Sequence, residues 1–299
     1  MTEKITEPFL DISCPLCLSK KQDSIILKNF KRSIDSYFLK IETSKIRSNY
    51  LKSLNYFDLK STPHFFKCLN CNSIYRNPIF ILPESEEHTR YGTHNNSLLD
   101  PKYLQYLGDS IKPFLNFIMP NQSGLDFGCG PTKGIEHLLS TDVLDNDTTF
   151  KDSKEFKINN IRSYDKYFFP ELKLGLGSNF NLSAYKPLIP SKTNAIHNSN
   201  CLFFKSVEFD YIFCHEVVEH FVKTINEFEN LFSFLKTGGH LFIRTETYPE
   251  DLNQFEDWYY KNDSTHVFFL SISTFKFIAK KYNFEFLILD KNKFILKRN

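Results

Sequence analysis

The chain has 299 residues, of which 41% are apolar and 16% aromatic, enough to bury an α/β core and a smaller module besides. Its formal net charge of +2 excludes the strongly basic composition that is typical of nucleic-acid-binding proteins. No apolar run approaches the length of about 18 residues that a membrane span needs, and the first residues lack the basic and apolar regions of a secretory signal. We therefore expect a cytoplasmic protein with no membrane partner.

Four of the seven cysteines form two Cys-x-x-Cys pairs near the N-terminus, Cys14 with Cys17 and Cys68 with Cys71. An odd number of cysteines without an export signal argues against a disulfide framework. Each pair can direct two thiolates at one point, and four thiolates are the ligand set of a structural zinc ribbon. The 50 residues between the pairs exceed the usual spacing, but a long insertion in a connecting loop costs little. We predict a zinc-ribbon-like module over residues 1–89, with iron as the alternative metal.

The segment between the cysteine pairs, 18–67, is basic and rich in aromatic residues. It contains eleven Lys or Arg residues against four Asp or Glu residues. Basic residues mixed with aromatic ones can bind single-stranded RNA, but a solvated insertion is the simpler interpretation in a chain rich in Lys, Asn and Phe. RNA is therefore an alternative partner, and a small molecule is the expected one.

The run Gly-Leu-Asp-Phe-Gly-Cys-Gly at 124–130 is the most informative part of the sequence. Its apolar residues are typical of the end of a buried strand. Gly128 and Gly130 permit a tight turn in which backbone N–H groups approach a ligand. A helix predicted over 132–140 would direct its positive N-terminal end at the same place. The sequence thus predicts a strand, a ligand-binding turn and a helix.

Two residues near this turn narrow the class of ligand. A dinucleotide-binding fingerprint needs a third glycine where this chain has Lys133. Asp126 stands two residues before the first glycine, where it can orient the turn and meet the ammonium group of a ligand. Cys129 contributes only its backbone to the turn.

Further elements follow in an alternating α/β order. An apolar run predicts a strand at 209–214, and His-Glu-Val-Val-Glu-His-Phe follows at 215–221. Glycines in Leu-Lys-Thr-Gly-Gly-His at 235–240 are expected to end a helix and lead into a strand at 241–245. A hairpin is expected at the C-terminus, from 284–289 and 293–297. The apolar face of the predicted helix consists of Val222, Ile225, Phe228, Leu231 and Leu235.

Three of these motifs resemble those of S-adenosylmethionine-dependent methyltransferases. Asp-x-Gly-x-Gly at 126–130 resembles their motif I, and 215–221 resembles the Glu-Val-Leu-Glu-His that follows strand 4. The run 235–240 is similar to their Leu-Lys-Pro-Gly-Gly, with Thr237 where proline is usual. For residues 90–299 the resemblance implies a Rossmann-like, doubly wound α/β sheet, mostly parallel with a C-terminal antiparallel strand.

A narrower resemblance is to bacterial proteins that join an N-terminal cysteine ribbon to a methyltransferase domain. Those proteins carry Tyr-x-x-His-x-Asn-Ser before motif I, as at 91–97 here, and Asp-Pro-Thr-His-Val after strand 5. This chain has Ser264 in place of that proline, and Thr132 and Lys133 where glycine usually continues the motif I loop. The resemblance implies a reaction type but no substrate.

The resemblance also implies where the cofactor would bind. Its methionyl end is expected at the loop of Asp126, Gly128, Cys129 and Gly130, with Glu216 from the motif after strand 4 nearby. Its ribose diol needs a carboxylate after strand 2. That strand is predicted at 158–163, and Asp165 follows it, with Asp145 or Asp142 as the alternative ligand.

Four histidines are candidate proton acceptors because their charge changes near neutral pH. His266 is the leading candidate, since it follows strand 5 and Asp263 is close enough to orient its ring. His220 is the second, with a structural role at the Glu216 turn as the alternative, and the others are His94 and His215. Three aromatic residues are expected to form a substrate wall or to pack in the core: Trp258, Tyr259 and Tyr260.

The sequence therefore predicts a methyltransferase that acts on a small molecule or sugar-like precursor. One alternative is an RNA base methyltransferase that holds RNA with the ribbon and the basic insertion, which loss of binding at raised salt would reveal. A second alternative is a non-catalytic binding protein that keeps the fold. The intact Asp126, Gly128, Gly130 and Glu216 argue against the latter.

Overall fold

The computed structural model of the protein describes residues 12–27, 63–93, 96–119, 121–141, 160–169, 171–173, 179–181 and 208–299. Most of the basic segment between the cysteine pairs lies outside these residues. So do His94, Asp142 and Asp145, three of the side chains considered above. Within the described ranges, no helix combines the length and the apolar character needed to cross a membrane.

The described residues form strands and helices that alternate along most of the chain. In chain order the strands are β1 (Gln22–Ile25), β2 (Phe65–Cys68), β3 (Ile74–Arg76), β4 (Gly124–Phe127), β5 (Ile161–Tyr164), β6 (Glu171–Lys173), β7 (Asn179–Asn181), β8 (Phe209–His215), β9 (Leu235–Arg244), β10 (Phe268–Phe269), β11 (Phe284–Asp290) and β12 (Lys293–Arg298). The α-helices are α1 (Glu84–Tyr91), α2 (Pro101–Ile111), α3 (Gly134–Ser140), α4 (Thr224–Ser233), α5 (Leu252–Asp257) and α6 (Ile272–Tyr282).

The chain divides into two compact units, and the first one contains the cysteine pairs. It comprises Met1–Arg90, Glu219–Thr224 and Glu246–Phe277. Two segments from the region predicted as a methyltransferase domain are therefore grouped with the N-terminal residues. Its antiparallel sheet has the order β1-β2-β3-β10. Its apolar core consists of Phe65, Ile74, Tyr248, Phe255, Tyr260 and Phe269.

The second unit comprises Tyr91–Val218, Ile225–Thr245 and Ile278–Asn299, and it contains the glycine turn. Its main sheet has the order β11-β12-β9-β8-β4-β5. The pairs β5–β4, β4–β8 and β8–β9 are parallel, whereas β12 is antiparallel to both of its neighbours. This sheet confirms the predicted Rossmann-like fold with its C-terminal antiparallel hairpin.

The connection order of this sheet determines where a ligand can bind. From β4 the chain passes to β5 on one side and later returns to β8 on the other, so β4 lies at the topological switch point. In such sheets ligands bind beyond the carboxyl ends of the strands at that point. The central strands are apolar and buried, as parallel strands covered on both faces usually are.

The glycines at 238 and 239 have a different role from the predicted one. The helix α4 ends at Ser233, and Leu235 already pairs with Phe209 in β9. Gly238 has a φ of +78° and lies inside β9, beside a register shift in the β8–β9 pairing. The prediction that these glycines end the helix is therefore wrong, because strand pairing begins before them and they form an irregularity within the strand.

Candidate active site

The two glycines of the turn after β4 differ in the space that a side chain would have. Gly128 has a φ of +79°, and a Cβ atom there would lie 2.4 Å from Cγ2 of Val217. Gly130 has a φ of +63°, and nothing lies within 4 Å of where its Cβ would be. The first glycine is needed for both backbone conformation and packing, and the second leaves open space beside the turn.

The N–H groups of this turn bind the neighbouring strand and not an open site. Gly128 and Cys129 donate to the carbonyl oxygen of Tyr164, at 2.8 and 3.0 Å. Gly130 donates to Oδ2 of Asp165 at 3.0 Å. The end of β5 therefore accepts the hydrogen bonds of these three N–H groups, and the approach of a ligand to the turn stays a prediction.

Asp165 lies directly after β5, beside the glycine turn. Besides the bond from Gly130, its Oδ1 accepts hydrogen bonds from the N–H groups of Tyr167 at 2.9 Å and Phe168 at 3.2 Å. A carboxylate offers about four lone-pair positions, so capacity for a further donor remains. The carboxylate thus holds the turn in place at the same edge of the sheet where a ribose ligand was predicted.

Asp126 is a buried acid beside the turn, with only 2% of its surface exposed. Its Oδ2 has no hydrogen-bond partner among the described residues. Burial, followed by the charges of Glu136 and Asp165, raises the pKa of Asp126 to about 8. A buried carboxyl oxygen without a partner fits a ligand that brings a positively charged donor, such as the ammonium group of S-adenosylmethionine.

Glu216 follows β8 in a left-handed conformation, with a φ of +55°. Its carboxylate forms an ion pair with Arg244, the last residue of β9. The Arg244 guanidinium also lies over the ring of Tyr106, 5.7 Å from its centroid. Because β8 and β9 are parallel neighbours, their carboxyl ends place these charges at the edge where the turn lies.

The four cysteines Cys14, Cys17, Cys68 and Cys71 converge on one point in the first unit. The Sγ atoms of Cys14 and Cys71 are 3.5 Å apart, as are those of Cys17 and Cys68, and all four lie within 4.8 Å of one another. A tetrahedral zinc with Zn–S bonds of about 2.3 Å needs sulfur atoms about 3.8 Å apart. The donor set and its spacing are therefore compatible with a zinc ribbon.

The two cysteine turns share one backbone pattern. In the first turn the N–H group of Cys14 donates to Ser19 and that of Leu18 to Cys14, both at 2.9 Å. The second turn repeats both bonds at the same spacing: Cys68 donates to Ser73 at 2.8 Å and Asn72 to Cys68 at 3.0 Å. The residue after each pair, Leu18 or Asn72, has a φ close to +60°. Two matched turns that present four thiols are the geometry a shared metal requires.

A second polar cluster in the first unit contains two of the predicted histidines. His220 Nδ1 lies 2.9 Å from the carbonyl oxygen of Thr265, and His266 Nδ1 lies 2.7 Å from that of Tyr260. The two imidazole centroids are 4.8 Å apart. The buried Glu219 accepts a hydrogen bond of 2.5 Å from the Tyr260 hydroxyl. Burial lowers the pKa of His266 to about 4, so its ring is neutral near pH 7.

Asp263 does not orient the ring of His266 as the sequence analysis expected. Its Oδ1 accepts hydrogen bonds from the N–H and hydroxyl groups of Thr265, and its Oδ2 pairs with Arg90 at 2.7 Å. Burial alone would raise its pKa, but the two Thr265 bonds lower the pKa of Asp263 to about 2. The carbonyl oxygen of Tyr260 orients His266 instead. The two residues are six positions apart, and the turn between them places this oxygen 2.7 Å from Nδ1 of His266.

A model of the methyltransferase domain family matches residues 100–288, more than half of the chain. The chain belongs to this family. It is an enzyme of the class I methyltransferases that use S-adenosylmethionine as the methyl donor.

Solved structures similar to this methyltransferase include YcgJ of Bacillus subtilis, at 15% identity over 62% of this chain and 71% of that chain, with a TM-score of 0.38. NodS of Bradyrhizobium japonicum WM9, an N-methyltransferase in complex with S-adenosylhomocysteine, is 11% identical over 72% of this chain and 97% of its own, with a TM-score of 0.38. No curated protein matches the chain. The family is assigned from the match of the family model, because structural similarities with TM-scores this low do not support an assignment.

The residues predicted to bind the cofactor lie together in the second unit of the methyltransferase. Those predicted to be catalytic lie together in the first unit. Asp126, Gly128, Cys129, Gly130 and Asp165 surround one turn of the second unit, and Glu216 follows the adjacent strand. His220, Asp263 and His266 belong to the first unit. Arg244, which pairs with Glu216, was not among the residues predicted for the site. It could have been predicted, because it lies near the end of the strand expected at 241–245, the next strand after the one that precedes Glu216.

The three aromatic residues after α5 differ in environment. Trp258 packs against Phe255 and Phe269, and Tyr260 is buried with its hydroxyl on Glu219. Tyr259 is 66% exposed. The packing role considered above therefore holds for Trp258 and Tyr260, and Tyr259 is the most exposed of the three.

Proposed function

We propose that this methyltransferase transfers a methyl group from S-adenosylmethionine to a small molecule or sugar-like precursor. The observation that carries the proposal is the turn of Gly128 and Gly130 at the switch point of the sheet, with the buried carboxyl of Asp126 beside it. Methyl transfer from a sulfonium is an in-line displacement, so the enzyme has mainly to align donor and acceptor. The cofactor supplies the chemistry when it is bound.

In this proposal Asp126 receives the ammonium group of the cofactor, which would provide the donor that Oδ2 lacks. Asp165 accepts the ribose hydroxyls with the lone pairs that remain after its bonds to the turn. Glu216, which is paired with Arg244, completes the set of charged groups at this edge.

Calorimetry with the purified protein tests cofactor binding. We expect S-adenosylmethionine and S-adenosylhomocysteine both to bind, and Asp126→Ala and Asp165→Ala each to weaken binding by about 1–3 kcal/mol, the cost of leaving a buried polar partner unsatisfied. Asp109→Ala, at an acid of helix α2 outside the turn, is the control and should bind normally. The absence of both heat and thermal stabilisation at millimolar ligand would contradict the proposal. Normal binding by Asp165→Ala would show that the ribose ligand is another acid.

We also propose that Cys14, Cys17, Cys68 and Cys71 hold one structural zinc ion. Hydrogen bonds that the Cys71 thiol donates to Cys14 and Cys68, together with burial, raise its pKa in the metal-free protein, and a bound cation would reverse that effect. Elemental analysis of protein purified without a chelator should find about one equivalent of metal per chain. Less than about a tenth of an equivalent of zinc and iron together would end the proposal, and iron in place of zinc would change only the metal.

The small-molecule acceptor is supported by the net charge of +2, which provides no general electrostatic attraction for a polyanion. A methyl-donor assay against a panel of metabolites, with RNA as a separate arm, decides the substrate class. Methylation of RNA that is lost as salt rises would favour the RNA base methyltransferase instead.

The role of His266 as general base remains a proposal with a kinetic test. Loss of a general base typically lowers the rate by about 10²–10⁴-fold, so His266→Ala should lower turnover by that range while cofactor affinity stays nearly unchanged. A variant that loses cofactor affinity instead would have a structural or cofactor-binding role. Unchanged turnover would show that the base is another group or that the acceptor needs none.

A further inference from the structure

Besides the four cysteines, a carboxylate and two imidazoles converge within the first unit. Glu219, His220 and His266 each offer a ligand atom, and the three atoms all lie within 4.8 Å of one another. Glu219 has no exposed surface and His266 is 9% exposed. A carboxylate and two imidazoles that meet in a protein interior are ligand types that can hold a cation between them.

Backbone carbonyls determine which nitrogen of each imidazole carries the proton. A carbonyl oxygen can only accept, so Nδ1 of His220 donates to Thr265 and Nδ1 of His266 donates to Tyr260. In a neutral ring Nε2 then carries a lone pair. Metal-binding histidines characteristically donate their second nitrogen to a carbonyl or carboxylate in this way, which orients the ring and raises its basicity as a ligand.

The carboxylate is oriented by a hydroxyl. Tyr260 donates to Oε1 of Glu219, and Nε2 of His220 lies 3.9 Å from the same oxygen. A carboxylate has about four lone-pair positions, so it can accept a hydrogen bond and bind a metal as well. The hydroxyl of Tyr260 would therefore support a ligating Glu219, while the carbonyl of the same residue supports His266.

The backbone around the cluster is held by hydrogen bonds from outside it. The N–H group of Val267 donates to the carbonyl of Glu219 at 2.8 Å, which joins the two segments that carry the ligands. The buried guanidinium of Arg76 donates to three carbonyls of the loop that ends at His266: those of Lys261, Asp263 and His266, at 2.9, 3.0 and 3.1 Å. The three side chains thus extend from a fixed frame.

We propose that Glu219, His220 and His266 form a second metal site, which binds a divalent first-row transition ion such as Zn²⁺. Two imidazole nitrogens and one carboxylate suit these ions, whereas Mg²⁺ and Ca²⁺ prefer oxygen ligands alone. Tetrahedral ligands at about 2.05 Å lie about 3.3 Å apart, so the ion draws the three side chains inward by roughly an ångström. Three protein ligands leave a coordination position for water or another molecule.

This inference concerns metal binding and does not rest on the proposed methyl transfer. A bound ion would occupy the Nε2 lone pair of His266 that a general base needs, so the two assignments of His266 exclude each other. Metal titration distinguishes them, since a general base requires no ion.

The test is a titration of the untagged, full-length protein with Co²⁺ after its cysteine site has been loaded with one equivalent of zinc. We expect a second equivalent to bind with weak visible absorption and without the thiolate charge-transfer bands of a cysteine site. Glu219→Gln should raise the dissociation constant at least about tenfold, and Tyr260→Phe, which removes a supporting hydroxyl, about tenfold. His240→Gln, at a partly buried histidine of β9, is the matched control and should bind as the wild type does.

Three results would overturn the proposal. The wild-type protein could take up no second equivalent at about a hundredfold molar excess of cobalt, which a site with two imidazoles and a carboxylate should bind. Glu219→Gln and Tyr260→Phe could both bind as the wild type does. His240→Gln could lose as much binding as Glu219→Gln, which would indicate adventitious binding by scattered histidines. Should Glu219→Gln fail to fold, the wild-type titration and Tyr260→Phe still decide.

Discussion

The two units of this methyltransferase are stabilised in different ways. In the second unit a six-stranded sheet buries an apolar core, and among the described residues Asp126 is its single buried charged side chain. The first unit has strands of two to four residues. Its buried polar or charged residues are His64, Ser73, Arg76, Asn77, Glu87, Glu219, Thr224, Lys261, Thr265, His266, Ser271 and Thr274. The second unit is built mainly on hydrophobic burial, and the first unit adds many buried polar groups to a smaller apolar core.

The residue after the second cysteine pair illustrates this difference. The carbonyl oxygen of Asn72 accepts hydrogen bonds from three hydroxyls, those of Tyr248, Ser271 and Thr274, at 2.6, 3.0 and 2.8 Å. These residues come from a segment about 200 positions away, given the separations of 176, 199 and 202 residues. Hydrogen bonds therefore hold the second cysteine turn against the rest of the first unit. In the second unit, packed apolar side chains hold the elements together.

Removal of a cysteine ligand should have the largest effect. Apparent binding free energies of structural zinc are about 10–16 kcal/mol in zinc-finger peptides, so Cys71→Ser should leave the first unit unfolded or open to proteolysis, with the metal equivalent lost. Limited proteolysis and elemental analysis measure this. Cys214→Ala, at a buried cysteine of β8, is the control and should keep the metal. A Cys71→Ser protein with a protease-resistant first unit would show that this unit, too, is held by its core.

A methyl group at the glycine turn should have the next largest effect. Gly128→Ala combines a left-handed conformation, which costs about 1–2 kcal/mol for other residues, with overpacking against Val217, which costs about 1–3 kcal/mol. We expect cofactor affinity to fall at least about tenfold more than in Gly130→Ala, which has only the conformational cost. Calorimetry measures both, and Val217→Ala should restore part of the binding to Gly128→Ala. Equal losses in the two single variants would show that packing at the turn is unimportant.

Replacing an arginine that donates to backbone carbonyls in each unit compares how much such hydrogen bonds contribute to the stability of the two units. Arg76→Gln removes a charged donor from three carbonyls, and we expect the free energy of unfolding to fall by about 3 kcal/mol. Arg298 donates to the carbonyls of Phe232 and Leu235 in the second unit, and Arg298→Gln should cost about 1 kcal/mol there. Denaturant unfolding of both variants makes the comparison. A larger loss in Arg298→Gln would reverse the contrast between the units.

The smallest effect is a pH dependence at Asp126, whose pKa is raised from an ordinary 3.8 to about 8. Between these values the folded state binds more protons than the unfolded state, so the free energy of unfolding falls as pH rises, by at most about 1.4 kcal/mol per pH unit. Asp126→Asn should remove this decline between pH 6 and 8. Cofactor affinity should rise over the same window in the wild type, because an ion pair needs the carboxylate, and stay flat in the variant. Parallel profiles for both proteins would refute the assignment.

Local patterns in the sequence were enough to predict the sheet and the glycine turn that follows β4. Strand length, apolar runs and the turn of Gly128 and Gly130 determined β4, β8 and the C-terminal hairpin, because these features depend on residues close together in the chain. The positions of Asp126 and Asp165 beside this turn were predictable for the same reason, since each lies at or directly after the end of a strand. The two Cys-x-x-Cys pairs likewise indicated that four thiols would meet.

Only the tertiary structure decided what each polar group binds. Asp165 holds the glycine turn, Tyr260 in place of Asp263 orients His266, and Arg244 pairs with Glu216. These partners are brought together by chain crossings that no local pattern specifies, and a buried polar group bonds to whichever partner the fold brings within reach. The grouping of residues 219–224 and 246–277 with the cysteine turns arises in the same way, from contacts between distant segments.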